Sequence, residues 1–519
     1  MNILDWIDVG KVSAERDDLL SEYFFDNGVL KSVIDSPSSF LILGRKGAGK
    51  TAVFKYLSES KEKFIEKNDI LIPLSFEDYN WNVHALLVDE KKAQSLAYKQ
   101  SWRFVVLIEC AKAFREWFLA KKEKVPKQLE KTNKLLEKLF DSPVPSISQL
   151  VGRKLLSLSG ISLPKGGLGL EGGDLDSINI SGGDVSFDDV QKDKSLQQHL
   201  SENIENLIRY LDGVLTDVID DCPKIYICFD RVDEAWDDVS YDSSKRVIAG
   251  LVSASDSITA QYNGVIRPIV FLREDIFDVL SINDANKLRE DCGALLHWGR
   301  PSLSNLMIRR INFYAERGNA ELIEDIDSMF DKKEMRQRTR PLNYLLKRTM
   351  MRPRDLISIM GRIIQTMKEK AADPFTEEEI TFEKLEAESI YSAEPGYSDW
   401  LKQEILDEWS VQKPIIIQLF NAIQNNSSTN FTSEDLTREL ENLNMKINKN
   451  EALSHIRFLF DNSIIGFKLG ESKEWRFKCF YPAQGFLDSS EYRVHEGLVR
   501  ALNLRENRDR DVATGKDDF

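Results

Sequence analysis

Gly44-Arg45-Lys46-Gly47-Ala48-Gly49-Lys50-Thr51 constrains this chain more than any other segment, because it satisfies GxxxxGK[ST] in full. It lies between a short apolar run, Phe40-Leu41-Ile42-Leu43, and a helical continuation, Ala52-Val53-Phe54-Lys55-Tyr56-Leu57. Glycines at these positions let the backbone fold tightly, so that its N–H groups converge on phosphate oxygens. The helix that follows offers the same anion its free N–H donors and the positive end of its dipole. Lys50 is placed to reach the β and γ phosphates of a nucleoside triphosphate, and the Thr51 hydroxyl to ligate Mg2+. The segment Gly44, Arg45, Lys46, Gly47, Ala48, Gly49, Lys50, Thr51 and Ala52 is therefore the expected nucleotide cradle.

A magnesium-dependent site also needs a carboxylate at the end of a neighbouring strand. Ile225-Tyr226-Ile227-Cys228-Phe229-Asp230 supplies one, since the run is apolar enough to be buried on both faces and Asp230 emerges at its carboxyl end. Asp230 is assigned to the metal with Thr51. Asp233 and Glu234 follow within reach as candidates to orient or deprotonate water; Glu234 is preferred, and the choice stays open. Arg273 comes directly after a third apolar run, Pro268–Leu272, where a cation can contact a γ-phosphate. Arg352 and Arg354, in Arg352-Pro353-Arg354-Asp355-Leu356, flank a proline suited to a helix first turn and are candidates for a lid's response to nucleotide. Arg289 could serve as a finger toward a neighbouring subunit.

Strands alternating with helices through residue 300 predict an α/β fold with a parallel sheet. Further strands are expected at Ile70–Phe76 and Ala294–Trp298. A long helix is expected from about 91 to 120, an exposed lysine-rich helix after Pro126, and a helix at Leu196–Leu215. Glycine pairs between about 142 and 193 read as inserted, flexible material or a pair of hairpins, the insertion being preferred. Beyond Arg300 the periodicity is helical, at Leu303–Arg317, Leu322–Phe330, Leu342–Thr349 and Arg354–Lys370. Helices followed by a hairpin, Ile464–Lys468 with Trp475–Lys478, give the order of a winged helix. The expected domains are an ATPase core at 1–300 with an insertion at about 121–195, a helical lid at 301–395, a winged-helix-like domain at 396–505 and a polar tail at 506–519.

At 519 residues, two to four domains are expected. Five scattered cysteines without CxxC spacing argue against a disulfide framework or a zinc site. No run approaches the roughly 18–20 apolar residues that span a bilayer, and the opening residues lack a signal-peptide pattern, so a cytoplasmic protein without a membrane partner is expected. The net charge of −15 disfavours a chain that coats nucleic acid by charge alone. The basic stretch from Lys332 to Arg340, with Lys347, Arg348 and Arg352, is read equally well as a solvated face or a phosphate-contacting surface.

Leu43–Ala52 and Phe229-Asp230-Arg231-Val232-Asp233-Glu234-Ala235-Trp236 together resemble the bacterial STAND-like P-loop ATPases, near the AAA+ and KAP groups of the additional-strand class. Ala14–Asp17, Phe271–Asp275, Arg352–Leu356 and Val494-His495-Glu496-Gly497-Leu498 fit the same resemblance. It implies ATP and Mg2+ as cofactors, an ATP-hydrolysing switch, a homo-oligomer, a separate effector protein, and a place in conflict or anti-phage defence systems. Arg231 departs from the glutamate that an AAA+ ATPase usually puts directly after the strand aspartate. The competing expectation is a DNA-binding ATPase, a loader or repair factor using its C-terminal winged helix. Against it, Glu451–Arg457 is poor in basic residues for a recognition helix. A third reading is a scaffold that binds nucleotide without turnover.

Overall fold

The computed structural model describes residues 1–75, 94–140, 194–235, 241–335, 338–372, 381–470 and 474–505. The glycine-rich stretch, the hairpin turn at 471–473 and the polar tail lie outside the described residues. The chain divides into two compact units. One comprises Gly28–Arg45 and Val53–Leu296; the other comprises Met1–Asn27, Lys46–Ala52 and His297–Phe519.

The first unit is built on five parallel strands, β1 (Leu41–Gly44), β2 (Ile70–Ser75), β3 (Ile225–Asp230), β4 (Ile266–Arg273) and β5 (Gly293–Leu295), in the order β2-β3-β4-β1-β5. β1, β3 and β4 are buried at every residue, which is why they read as continuous apolar runs rather than alternations. β5 occupies only Gly293–Leu295, shorter than the strand expected through Trp298. The helices are α1 (Val29–Asp35), α2 (Lys50–Glu59), α3 (Gln94–Ala120), α4 (Lys127–Phe140), α5 (Lys194–Val218), α6 (Tyr241–Gln261), α7 (Glu274–Val279) and α8 (Ala285–Cys292). On one face of the sheet, Leu41, Leu43, Ile225, Ile227, Phe229, Val270 and Leu272 share a core with α3, α5 and α6. Trp102 of α3 caps that packing, edge-on to Phe229 at 5.8 Å and donating its indole N–H to the Val247 carbonyl at 2.8 Å. On the other face, Phe54 of α2 meets Phe271 edge-on at 5.7 Å.

One expectation changes here. The helix after Pro126 is not an exposed rod, because Leu129, Leu135 and Leu136 of α4 are buried against α3 and α5. Its lysines occupy the opposite stripe, which dominated the sequence pattern. Arg267 sits inside β4, 1 % exposed, and donates to the carbonyls of Val33 (3.1 Å), Ile34 (2.8 Å) and Ser36. A buried cation is tolerated there because it satisfies the carbonyls that α1 leaves open at its end.

The second unit holds α9 (Arg300–Arg317), α10 (Pro341–Leu346), α11 (Pro353–Ala371) and α12 (Ala387–Trp409). After them come α13 (Ile416–Asn426), α14 (Ser433–Asn442) and α15 (Lys449–Asp461). Four antiparallel strands, β6 (Asn430–Phe431), β7 (Ile465–Lys468), β8 (Trp475–Phe477) and β9 (Tyr492–Val494), pair in the order β6-β9-β7-β8. The α14 and α15 N-termini carry reciprocal capping boxes, Thr432 with Asp435 and Asn448 with Glu451. Residues 1–27 belong to this unit: Arg310 of α9 donates to the Val9 carbonyl at 2.6 Å, and Tyr23 donates to Asp17 at 2.5 Å.

The expected helix at Leu322–Phe330 does not form. Only a 3-10 turn at Ile326–Met329 is present. Asn312 bonds the Ile323 backbone twice, and Asp325 and Asp327 take the N–H groups of Asp327 and Leu342. Side chains that bond nearby backbone offer it an alternative to the helix. Among the described residues, no helix is long and apolar enough to cross a membrane.

Candidate nucleotide-binding site

The carboxyl ends of three adjacent strands gather the predicted chemistry. Gly44 closes β1 in register with Arg273 of β4, and Asp230 closes β3, the next strand over. β4 thus stands between the strand that leads into the P-loop and the strand that carries the acid. In an open parallel sheet this edge is where ligands collect.

From Gly44 the chain turns through Gly47 (φ +80°) and Gly49 (φ +97°) and enters α2 at Lys50. Both glycines have backbone angles that side chains rarely adopt. Gly47 is also crowded: a Cβ there would lie 3.3 Å from Cβ and Cδ of Arg354 and 3.6 Å from Cδ of Arg352. A loop whose N–H groups converge on an anion turns its carbonyls outward, and buried carbonyls need donors. The Lys46 carbonyl accepts from Arg352 at 3.1 Å, and the Ala48 carbonyl accepts from the Trp298 indole at 2.8 Å.

The two arginines flanking Pro353 therefore do different work. Arg352, 8 % exposed, is fixed by Asp355 at 3.0–3.1 Å, with Glu408 at 3.8 Å. Burial works against its charge, but Asp355 and Glu408 outweigh it and hold the guanidinium above its ordinary pKa. Arg354 makes a 2.7 Å ion pair with Glu404 that stays partly open to solvent.

Asp230 is 2 % exposed. Arg231 follows in the left-handed region (φ +59°), and the chain turns at once into a 3-10 helix, Val232–Ala235, anchored by buried Val232. Asp233, half-buried, and the backbone of Glu234 lie on that turn; the Glu234 side chain lies outside the described residues, as does Trp236. Arg273, 8 % exposed, pairs with Asp275 at 2.7 and 3.1 Å. Arg289 pairs with Glu274 at 3.2 Å and with Asp278, all within one subunit. Arg45 lies 4.0 Å from the same Glu274.

Within its own unit the glycine loop leaves no room for a side chain at Gly47 and presents a lysine and a hydroxyl where α2 begins, a donor set that suits phosphate. Within the other unit a buried carboxylate, Asp230, ends β3. Among the described residues no cluster of histidine, cysteine and acidic side chains suits a protein-only metal site. Lys332, Lys333, Arg338 and Arg340 of the basic stretch are exposed, whereas Arg348 and Arg352 are buried. Lys332 pairs with Glu388 at 2.8 Å, while Arg348 is buried between Glu394 (3.0 Å) and Glu496 (3.2 Å). Sequence reasoning missed Trp298, Glu404 and Glu408; nothing local marks them, because their partners lie far along the chain.

A five-stranded parallel sheet with the GxxxxGK[ST] segment following β1 fits the α/β P-loop fold. Residues 301–406 match the family model of the FunZ-associated C-terminal helical domain. The putative transposon gamma-delta 80.3 kDa protein of Escherichia coli K12 is 26 % identical over 361 residues, covering 68 % of this chain and 46 % of that protein. This chain thus spans under half the length of that relative. The crystal structure of Cdc6p from Pyrobaculum aerophilum aligns over 96 % of this chain and 95 % of that one, at 10 % identity and a TM-score of 0.30. A superposition that loose supports no inference about function.

Proposed function

We propose that this protein is an ATP-hydrolysing regulatory switch of the STAND-like kind, acting in a bacterial conflict or anti-phage defence system. The observation that carries the reading is β4 standing between β1 and β3, with Arg273 in register with Gly44 and Asp230 ending the next strand. That is the additional-strand arrangement, in which a residue on the intervening strand senses the γ-phosphate.

In this reading the backbone N–H groups of 46–51 and Lys50 bind the phosphates. Thr51 and Asp230 hold magnesium, which when bound supplies charge neutralisation between the β and γ phosphates. Glu234, or Asp233 beside it, orients water and accepts its proton. Arg273 leaves Asp275 to meet charge developing on the γ-phosphate. Arg354 exchanges Glu404 for phosphate and so registers nucleotide state in α11, whereas Arg352 keeps the loop in shape. The domain reading is a core at 1–300 with an insertion at about 121–195, a lid at 301–395, a winged-helix-like domain at 396–505 and a tail at 506–519. A homo-oligomer and a separate effector complete the scheme. The match to a transposon-named relative supports a setting among mobile elements.

The second reading, a DNA-binding ATPase, rests on α15 leading into the β7–β8 hairpin. Its exposed face carries Lys449, Asn450, Glu451, Ser454 and Arg457, with Arg457 paired to Asp461 at 3.7 Å. Binding to a labelled duplex across a salt series separates the two. The switch reading expects no specific binding and an ATP-dependent change in oligomeric mass. Tight duplex binding with a steep salt slope, lost in Lys449→Glu with Arg457→Glu, would favour the loader.

A further inference from the structure

We propose that Trp298 is a positioning residue of the P-loop, setting nucleotide affinity without touching nucleotide; this rests on the ATP-binding reading above. Trp298 is 5 % exposed, two residues before α9, and its Nε1 donates to the Ala48 carbonyl at 2.8 Å. Arg352, the N-cap of α11, does the same for the Lys46 carbonyl at 3.1 Å. The two donors hold carbonyls on either side of Gly47, whose own angle (φ +80°) only that residue type adopts freely.

Ala48 is 3 % exposed, so its carbonyl is poorly placed to exchange the indole for water. With the donor gone, the peptide between Ala48 and Gly49 can rotate toward another partner. That rotation takes an N–H away from the direction the phosphate needs. The bond therefore favours the phosphate-ready loop over its alternatives, and its loss falls on binding rather than on the chemical step. The linkage is reciprocal. Nucleotide that fixes the loop fixes the indole, so the path from the phosphates to the helices after residue 299 begins at Trp298. The Phe25 ring packs 6.3 Å from the indole.

Trp298→Phe keeps an aromatic ring and removes the N–H, and Phe25→Leu alters packing on the ring and keeps the bond. Steady-state ATP turnover and equilibrium ATP binding are measured for both and for wild type, well below each protein's Tm. The expected result for Trp298→Phe is a KM and Kd for ATP raised about five- to tenfold with kcat within twofold. Phe25→Leu should leave KM unchanged. A change in tryptophan emission on adding ATP is expected in wild type and should shrink in Trp298→Phe. Wild-type KM in Trp298→Phe, or an equal rise in Phe25→Leu, would overturn the proposal. A fall in kcat alone would also overturn it. Failure of wild type itself to bind ATP would instead overturn the functional reading beneath it.

Discussion

Replacing Gly47 by alanine tests whether the P-loop is held in the shape described. At φ +80° an L side chain costs about 1–2 kcal/mol. The new Cβ would also lie 3.3 Å from Cβ of Arg354, which α11 fixes and no rotamer change can move. Relief requires a shift of the neighbour, costing about 1 kcal/mol, the low end for overpacking. The total is about 2–3 kcal/mol. How it divides depends on the free protein: a loop that relaxes without nucleotide shows it as lost affinity, and a loop held by Trp298 and Arg352 shows it as lost stability. The two losses must therefore be measured together, by ATP-binding calorimetry and urea unfolding. Gly49→Ala is the control, since φ +97° carries a backbone cost of the same kind but its Cβ meets only Cβ of Ala52, at 4.0 Å. Gly47→Ala should exceed it by about 1 kcal/mol, about fivefold if read as affinity. A summed loss under about 0.5 kcal/mol for Gly47→Ala, or a larger loss for Gly49→Ala, would refute the reasoning.

Arg273→Ala should lower kcat about 100-fold and leave KM within threefold, because its partner develops only in the transition state; a KM effect alone would make it a ground-state contact. Arg267→Met strands three carbonyls at about 1 kcal/mol each, so urea unfolding should lose roughly 3 kcal/mol; a loss under about 1 kcal/mol would contradict that account. Burial, then Arg348 and Arg352, push the His495 pKa from 6.5 down to about 3. Below pH 6.5 the unfolded chain takes up a proton that the folded one refuses. Stability conferred by the neutral ring is therefore complete above pH 6.5 and lost as pH falls toward 3, at up to about 1.4 kcal/mol per pH unit. His495→Gln should flatten that part of the pH profile; an unchanged slope between pH 6 and 4 would contradict it.

The sheet was legible because buried parallel strands leave unbroken apolar runs and the P-loop has a fixed spacing. Lys50, Thr51, Asp230 and Arg273 could be placed by chain-local rules: Asp230 and Arg273 each end a strand, and Lys50 and Thr51 open the helix after the P-loop. The burial of α4 was not legible, since its lysines match its leucines in number and only its neighbours reveal which stripe faces inward. The failed helix at 322–330 turned on Asn312, eleven residues before the Ile323 backbone that it bonds, a separation no periodic pattern marks. β6 and β9 were missed because two- and three-residue strands carry no periodicity of their own. The division of labour between Arg352 and Arg354 depends on Glu404 and Glu408 of α12, about fifty residues further on, and no local motif announces that pairing.

Magnesium-dependent ATP hydrolysis by wild type, Lys50→Ala and Glu234→Gln is the most direct test of the central claim. The account predicts turnover in wild type, loss of binding and turnover in Lys50→Ala, and retained binding without turnover in Glu234→Gln. Tight ATP binding by wild type with no turnover would contradict it and make the protein a nucleotide-bound scaffold.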